Sequence, residues 1–379
     1  MNSTKAIIHK KNLERNIKNI KTLIHSHTKI CIPVKANAYG HGAVEISKLL
    51  IKNDVDVLAV AKLSEAAELR AANIKAPILL LSLPLEEEIP EVIKLNVQPF
   101  VFTKDFITAL NEEAIKQNIP VKVHLKIDTG MGRIGCQPEE AAGLAKYIFS
   151  QSHVILNGCC THFAVSDSLN PDDIEFTKKQ IKLFTFAINS IKEEGINPGI
   201  CHCSATGGTL QYSEAQFDMI RPGLIAYGYF PDEKIEKKVK HYHPGFELYP
   251  IMELQSKITS IKTISAGESI SYGRKWISDA KTRIATIPIG YGDGLKRCLS
   301  PGLKVLINGK QYPIVGRICM DQCMINIGTK DTINIGDTVI IFSDKKEGQT
   351  LNDQARLANT IPYEILTGIM PRVPRIYVD

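Results

Sequence analysis

Two hydrophobic patterns alternate along the first 240 residues. Short apolar runs fall at 31–34, 57–60, 77–81, 99–102, 121–127, 154–160, 199–203 and 217–220. Between them lie stretches of helical period, among them 41–51, 62–72, 104–118, 137–150 and 172–194. In the last of these Ile174, Ile181, Phe184, Ala187, Ile188 and Ile191 share one face. Strand–helix alternation predicts parallel strands. Eight repeats within this length fit a closed eight-stranded α/β barrel of the TIM type. An open doubly wound sheet fits less well, because no G-x-G-x-x-G follows the first strand.

The pattern changes after residue 240. "HYHPGFELYP" (241–250) reads as a junction. Beyond it, short alternating runs at 251–258, 283–289, 304–307, 323–327 and 338–342 are separated by turn signals such as Asn308-Gly309. This predicts an all-β C-terminal domain with one helical insert at 351–360. The expected division is 1–242 for the barrel and 243–379 for the β domain. The run 6–9 precedes the eight and is free to pack with the second domain.

Composition adds exclusions. Over 379 residues, 44% are hydrophobic and 23% charged, with a net charge of +6 and no long basic run. That argues against nucleic-acid binding. Residues 1–11 lack an apolar signal region, and apolar stretches such as 76–83 are too short to span a bilayer. A soluble, cytoplasmic protein is expected. The nine cysteines are irregularly spaced and read as small buried apolar groups. Cys201-His202-Cys203 lacks the paired spacings of a structural zinc site, and no metal is expected.

Polar residues recur where barrel strands end. Lys35, Lys126, Asp128, Arg133, His162, Ser204 and Arg221 all fall at C-terminal strand ends or in the loops that follow. Barrels of this kind build active sites there. The set is cationic and suits an anion. Gly223 in "RPGLIAYG" and Ser204 suggest a phosphate corner. A lysine opposite a phosphate grip suits a Schiff base with pyridoxal phosphate, or else a phosphorylated substrate.

The motifs "VKANAYGHG", "HLKIDTGMGRIG", "THFAVSD", "IRPGLIAYG", "SYGR", "IGYGDG", "VGRICMDQ" and "PRVPR" follow in order across nearly the whole chain. Together they resemble alanine racemase. The resemblance implies a pyridoxal-phosphate homodimer that interconverts L- and D-alanine by two bases and supplies D-alanine for bacterial peptidoglycan. It implies that Lys35 carries the cofactor as an aldimine. Tyr39, Ser204, Gly223 and Leu224 would hold the phosphate. Arg221 would meet the pyridine nitrogen, supported by His162. Arg133 and the backbone near Met320 would hold the substrate carboxylate, with Tyr291 near the entry. Tyr272 would be the second base, reaching in from the other subunit. Removing the α-proton on one face and returning one on the other requires two such groups. A phenol in that role needs neighbouring cations to act near neutral pH.

Lys126 beside Arg133 is expected to be carbamylated, as family members are at the matching lysine; the plain alternative is an ion pair with Asp128. Pro371 and Cys203 depart from residues that some members place near the phosphate. Three rivals stand beside this reading. They are a barrel metallohydrolase using Lys126, His162, His202 and Asp128, a non-enzymatic pyridoxal-phosphate carrier, and an amino-acid decarboxylase. Substrate breadth, with serine or another small amino acid accepted, stays open.

Overall fold

The computed structural model describes residues 3–344 and 347–379. Met1 and Asn2 of the N-terminal segment, and Lys345 and Lys346 of the β region, lie outside the described residues. Strand β1 (Lys5–His9) comes first. All eight predicted barrel strands then form: β2 (Lys29–Pro33), β3 (Val57–Val60), β4 (Ile78–Leu80), β5 (Val97–Val101), β6 (Val121–Lys126), β7 (Val154–Cys160), β8 (Ile200–His202) and β9 (Met219–Ile220). Their order is β8-β7-β6-β5-β4-β3-β2-β9, and every pairing is parallel. β8 and β9 close the ring through single bonds. The Asp218 N–H donates to the Cys201 carbonyl at 3.0 Å, and the Arg221 N–H donates to that of Ser204 at 2.7 Å. The Asp218 carboxylate accepts the Cys201 N–H at 2.8 Å.

Cys31, Ala59, Leu79, Phe100, Cys160 and Met219, one from each of six strands, pack together as a separate buried cluster. Here the cysteines act as compact apolar fillers, as expected from their sequence context. The helices lie where the period placed them, the longest being Pro171–Glu193. Its buried face includes Ile181, Phe184, Ala187, Ile188 and Ile191.

The C-terminal part is mostly β and includes a nine-stranded sheet. β1 belongs to this sheet. It runs antiparallel to β10 (Met252–Lys257) and parallel to the C-terminal strand Arg375–Val378. Among the described residues five strands lie outside the apolar runs, and the two longest of them show the physical reason. Ser260–Ile264 buries only its last residue, and Lys310–Val315 opens with two exposed positions, so neither reads as an apolar run. The helical insert at Leu351–Leu357 is accompanied by a second short helix, Pro362–Thr367, which the apolar pattern does not mark. No helix among the described residues is long and apolar enough to cross a membrane.

Candidate active site

Lys35 stands where β2 ends, on an unusual piece of backbone. Ala36, Asn37, Ala38 and Tyr39 all take left-handed conformations, with φ of 51°, 55°, 51° and 52°. Each costs about 1–2 kcal/mol for an L-residue, so the surroundings must hold the turn. Glu65 accepts the Ala36 N–H at 2.6 Å and, through its other oxygen, those of Ala61 and Lys62. The Asn37 side chain accepts the Ala43 N–H. From the C-terminal strand, Arg375 donates to the Gly40 carbonyl and the Tyr377 hydroxyl to that of His41. The two glycines are then obligatory. A Cβ on Gly40 would lie 2.2 Å from the Leu366 carbonyl oxygen, and one on Gly42 would lie 1.9 Å from the Tyr377 hydroxyl. Thus "KANAYGHG" is a left-handed display turn for a lysine.

Burial, reinforced by Arg133 and opposed by Glu65, holds the Lys35 amine below the usual lysine range. Among the described residues Lys35 Nζ has neither a hydrogen-bond nor an ion-pair partner. The same is true of the exposed Arg133 guanidinium. An amine held below its usual pKa and an unpaired cation near it suit a carbonyl compound bearing negative charge.

Tyr39 points from the display turn toward Gly223. Its ring packs against Tyr227 at 4.9 Å and Tyr363 at 5.7 Å between centroids. A Cβ on Gly223 would come within 2.9 Å of the Tyr39 hydroxyl, so only glycine leaves this corner open. The Gly223 N–H donates to the Thr206 hydroxyl, and the Tyr363 hydroxyl faces Thr206. The Leu224 N–H takes no partner among the described residues. Ser204, fully buried, donates its hydroxyl to the Ala215 carbonyl at 2.6 Å, which leaves its lone pairs and not its proton available. The Tyr39 hydroxyl and the Leu224 N–H, neither with a hydrogen-bond partner among the described residues, therefore leave two donors at an open corner beside Gly223 that fits a phosphate. Thr206 and Tyr363 belong to it and were not singled out by the sequence. The resemblance motifs do not include them, and each alone reads as packing.

Arg221 is 5% exposed and forms no ion pair among the described residues. Its Nη2 donates to the carbonyls of Thr161 at 2.8 Å and Cys203 at 3.0 Å. Its Nη1 meets His202 Nδ1 in a short hydrogen bond. His162 Nδ1 lies at 3.5 Å from Nη2, a weaker contact. The stronger histidine partner of Arg221 is therefore His202, which the sequence had suggested only as a metal ligand. Burial, then the nearby Arg221 charge, holds His162 and His202 well below the usual histidine range and His124 at about 3. Burial alone does most of the same for His41, also at about 3.

These four neutral histidines have a consequence for acid stability. Unfolding exposes them to water, where each binds a proton below about pH 6.5. The unfolded state then holds more protons than the folded one, so stability falls as pH drops below that value. Four such groups are expected to remove roughly 5 kcal/mol of unfolding free energy between pH 7.5 and 5.5. Urea titrations at the two pH values check this; a difference under about 1 kcal/mol would contradict it.

Lys126 is buried on β6, and among the described residues its ammonium donates only to the Ile127 carbonyl. Burial holds it below the usual lysine range. It forms no ion pair with Asp128. That carboxylate instead accepts the N–H groups of Gly130 and Gly132 and shapes the turn after β6. The metallohydrolase arrangement does not form either. Both ring nitrogens of His202 are hydrogen-bonded, and among the described residues no group of three His, Cys, Asp or Glu side chains is placed to hold a metal ion.

The remaining predicted residues lie in the β region. Ser271, Tyr272, Cys319, Met320, Asp321 and Gln322 line one cleft, with no barrel residue among them. Tyr272 is 70% exposed there. The Tyr291 N–H donates to the Cys319 carbonyl, and the next N–H donates to that of Met320, which ties the entry tyrosine to this cleft. Arg372 braces the same region by pairing with both Asp293 and Asp321. One chain thus presents two surfaces: a cationic barrel mouth with Lys35, and an exposed cleft with Tyr272.

Comparison with known proteins covers both parts of the chain. Residues 8–231 match the family model for the alanine racemase N-terminal domain, and 251–377 match its C-terminal domain. The alanine racemase of Treponema denticola is 50% identical over 383 aligned residues, covering 100% of this chain and 99% of its own. Alanine racemase 1 of Clostridium acetobutylicum is 38% identical over 369 residues, covering 97% of this chain and 93% of its own. Among solved structures, alanine racemase of Clostridium difficile superimposes with a TM-score of 0.93 at 39% identity, covering 100% of this chain and 96% of that one. The enzyme of Bacillus anthracis with bound L-Ala-P gives 0.91 at 33% identity, covering 100% and 96%. The chain belongs to the alanine racemase family.

Proposed function

We propose that the protein interconverts L- and D-alanine with pyridoxal phosphate, using Lys35 and Tyr272 as the two bases. The observation that carries this is the Lys35 amine, displayed on its left-handed turn below its usual pKa and beside a donor-lined corner fit for a phosphate. Tyr39, Gly223 and Leu224 would hold the phosphate, and Ser204 would join them by turning its hydroxyl proton away from the Ala215 carbonyl. Arg133 would meet the substrate carboxylate, with the backbone near Met320. Bound at this site, pyridoxal phosphate withdraws electrons from the substrate α-carbon so that its proton can leave.

Arg221 governs the strength of that withdrawal. A guanidinium keeps its protons, so a ring nitrogen facing it stays unprotonated and the electron withdrawal stays modest. His162 supports that arrangement from one side. Prompt return of the proton is then favoured over other fates of the α-carbon, which separates a racemase from a decarboxylase on the same architecture. Tyr272 would reach the site from the cleft of a second copy, with Met320 and Tyr291 beside it. The active protein is accordingly a homodimer with shared sites. Its cellular role would be cytoplasmic supply of D-alanine for peptidoglycan. The direct test is to incubate the purified protein and pyridoxal phosphate with L-alanine and follow optical rotation. Decay to zero at constant total alanine is expected; carbon dioxide release or a stable rotation contradicts it.

Lys126 is assigned a carbamate. A buried amine held below its usual pKa is a nucleophile for carbon dioxide. The product is an anion, which turns the mutual repulsion with Arg133 into attraction. Lys126→Ala is expected to raise the KM for alanine about tenfold, and added acetate to restore part of the loss. Absence of any acetate effect at unchanged folding would point to a plain amine.

A further inference from the structure

A chain of buried hydrogen bonds runs from Arg221 away from the site. Arg221 Nη1 meets His202 Nδ1. His202 Nε2 lies 2.9 Å from His124 Nδ1. His124 Nε2 lies 3.0 Å from Gln98 Oε1, which also accepts the Asn157 amide N–H at 3.0 Å. His202 and His124 are 0% and 2% exposed.

The direction of this chain is set by its first member. A guanidinium only donates, so His202 Nδ1 must offer a lone pair. A neutral His202 then carries its proton on Nε2 and donates it to His124 Nδ1. His124, also neutral, must carry its proton on Nε2 and donate it to an oxygen. Gln98 supplies that oxygen, and the Asn157 amide donating to the same atom orients it the same way. Reversing the Gln98 amide would reverse both imidazoles and set an N–H of His202 against an N–H of Arg221.

We propose that Gln98 and His124 are positioning residues for the reaction, which fix the Nε2–H tautomer of His202 and so keep a lone pair on Arg221. Among the described residues Arg221 is otherwise anchored only by the carbonyls of Thr161 and Cys203 and the distant His162, and its Nε takes part in none of these bonds. The relay holds the guanidinium in one plane with donors to spare for an aromatic nitrogen acceptor. That consequence rests on the pyridoxal-phosphate reading. The tautomers themselves do not.

Full-length protein labelled with ¹⁵N-histidine allows the test by solid-state NMR, with and without pyridoxal phosphate. His202 and His124 are expected to show protonated Nε2 and bare Nδ1 in both samples, with no titration between pH 6 and 8. Gln98→Glu places an anion beside His124 and draws a second proton onto it. The Nδ1–H of that imidazolium then faces His202, which must flip to the Nδ1–H form and confront Arg221. The expected result is a changed His202 signal, pyridoxal phosphate affinity weakened roughly tenfold or more in an absorbance titration, and a fall in kcat larger than any change in KM. Asn157→Ala leaves His124 donating to Gln98 and is expected to preserve both tautomers and the affinity. A native His202 protonated on Nδ1 would overturn the proposal. So would a Gln98→Glu protein whose tautomers, affinity and kcat all match the native ones, or whose tautomers change with no effect on affinity or kcat. Native tautomers as stated in a protein that binds no pyridoxal phosphate would instead overturn the functional reading.

Discussion

Lys35→Ala is expected to fold and dimerise normally, to melt within a few degrees of the native protein, and to lose racemisation by at least about 10³-fold. The two parts of this result have separate causes. Lys35 Nζ makes no hydrogen bond or ion pair among the described residues, and its pKa is held down by burial, so its removal forfeits little folding energy. The neighbouring turn is held by Glu65, Arg375 and Tyr377 through hydrogen bonds to backbone groups of Ala36, Gly40 and His41, which the substitution leaves in place. Activity depends on the amine twice, as the covalent anchor of the cofactor and as the base on one face of the substrate. Borohydride reduction of the native holoprotein followed by peptide mapping should place the label on the peptide containing Lys35. Label at another lysine, or substantial activity in Lys35→Ala, would contradict the assignment.

Tyr272→Phe tests the other face. The two alanines are mirror images, so their equilibrium constant is one, and any variant must lose net racemisation equally in both directions. The asymmetry can therefore appear only in α-proton exchange with solvent. If Tyr272 serves L-alanine and Lys35 serves D-alanine, then in deuterated water the variant should wash label into D-alanine and almost none into L-alanine. The exchange with L-alanine is expected to fall by about 10²–10⁴-fold. Tyr272 is exposed in a cleft without barrel residues, so the loss should not come from unfolding. Mixing Lys35→Ala with Tyr272→Phe chains extends the test. A mixed dimer contains one site with both bases intact and should regain part of the activity. Equal exchange from both enantiomers, or an inactive mixed dimer, would remove the shared-site mechanism.

Much of the barrel was legible because parallel strands buried on both faces leave short, dense apolar runs. All eight were located this way, and β2 and β9 showed themselves as clearly as the rest. Strands such as Ser260–Ile264 expose most of their side chains and leave no such trace. The site divided along a similar line. Residues that announce chemistry by type at a strand end, such as Lys35, Arg133 and Arg221, could be found. Glu65 could not, because its value lies in three backbone N–H groups brought together from two loops. His202 was noticed for the wrong reason. It was weighed only as a metal ligand, between its flanking cysteines and in the metallohydrolase rival, whereas its partners Arg221 and His124 are distant in sequence and meet it only inside the closed barrel. Lys126 and Asp128 show the converse: proximity in sequence suggested an ion pair that the turn after β6 prevents.

The display turn also couples the two sheets. Its left-handed residues begin at Ala36, directly after β2, yet two of the groups that restrain it, Arg375 and Tyr377, lie 335 and 336 residues away from their partners, on a strand that pairs with β1 in the nine-stranded sheet. A barrel folded without that sheet would carry Lys35 as an ordinary lysine, lacking two of the donors that shape the backbone presenting it. The amine is therefore fully presented only when both parts of the chain have folded against each other.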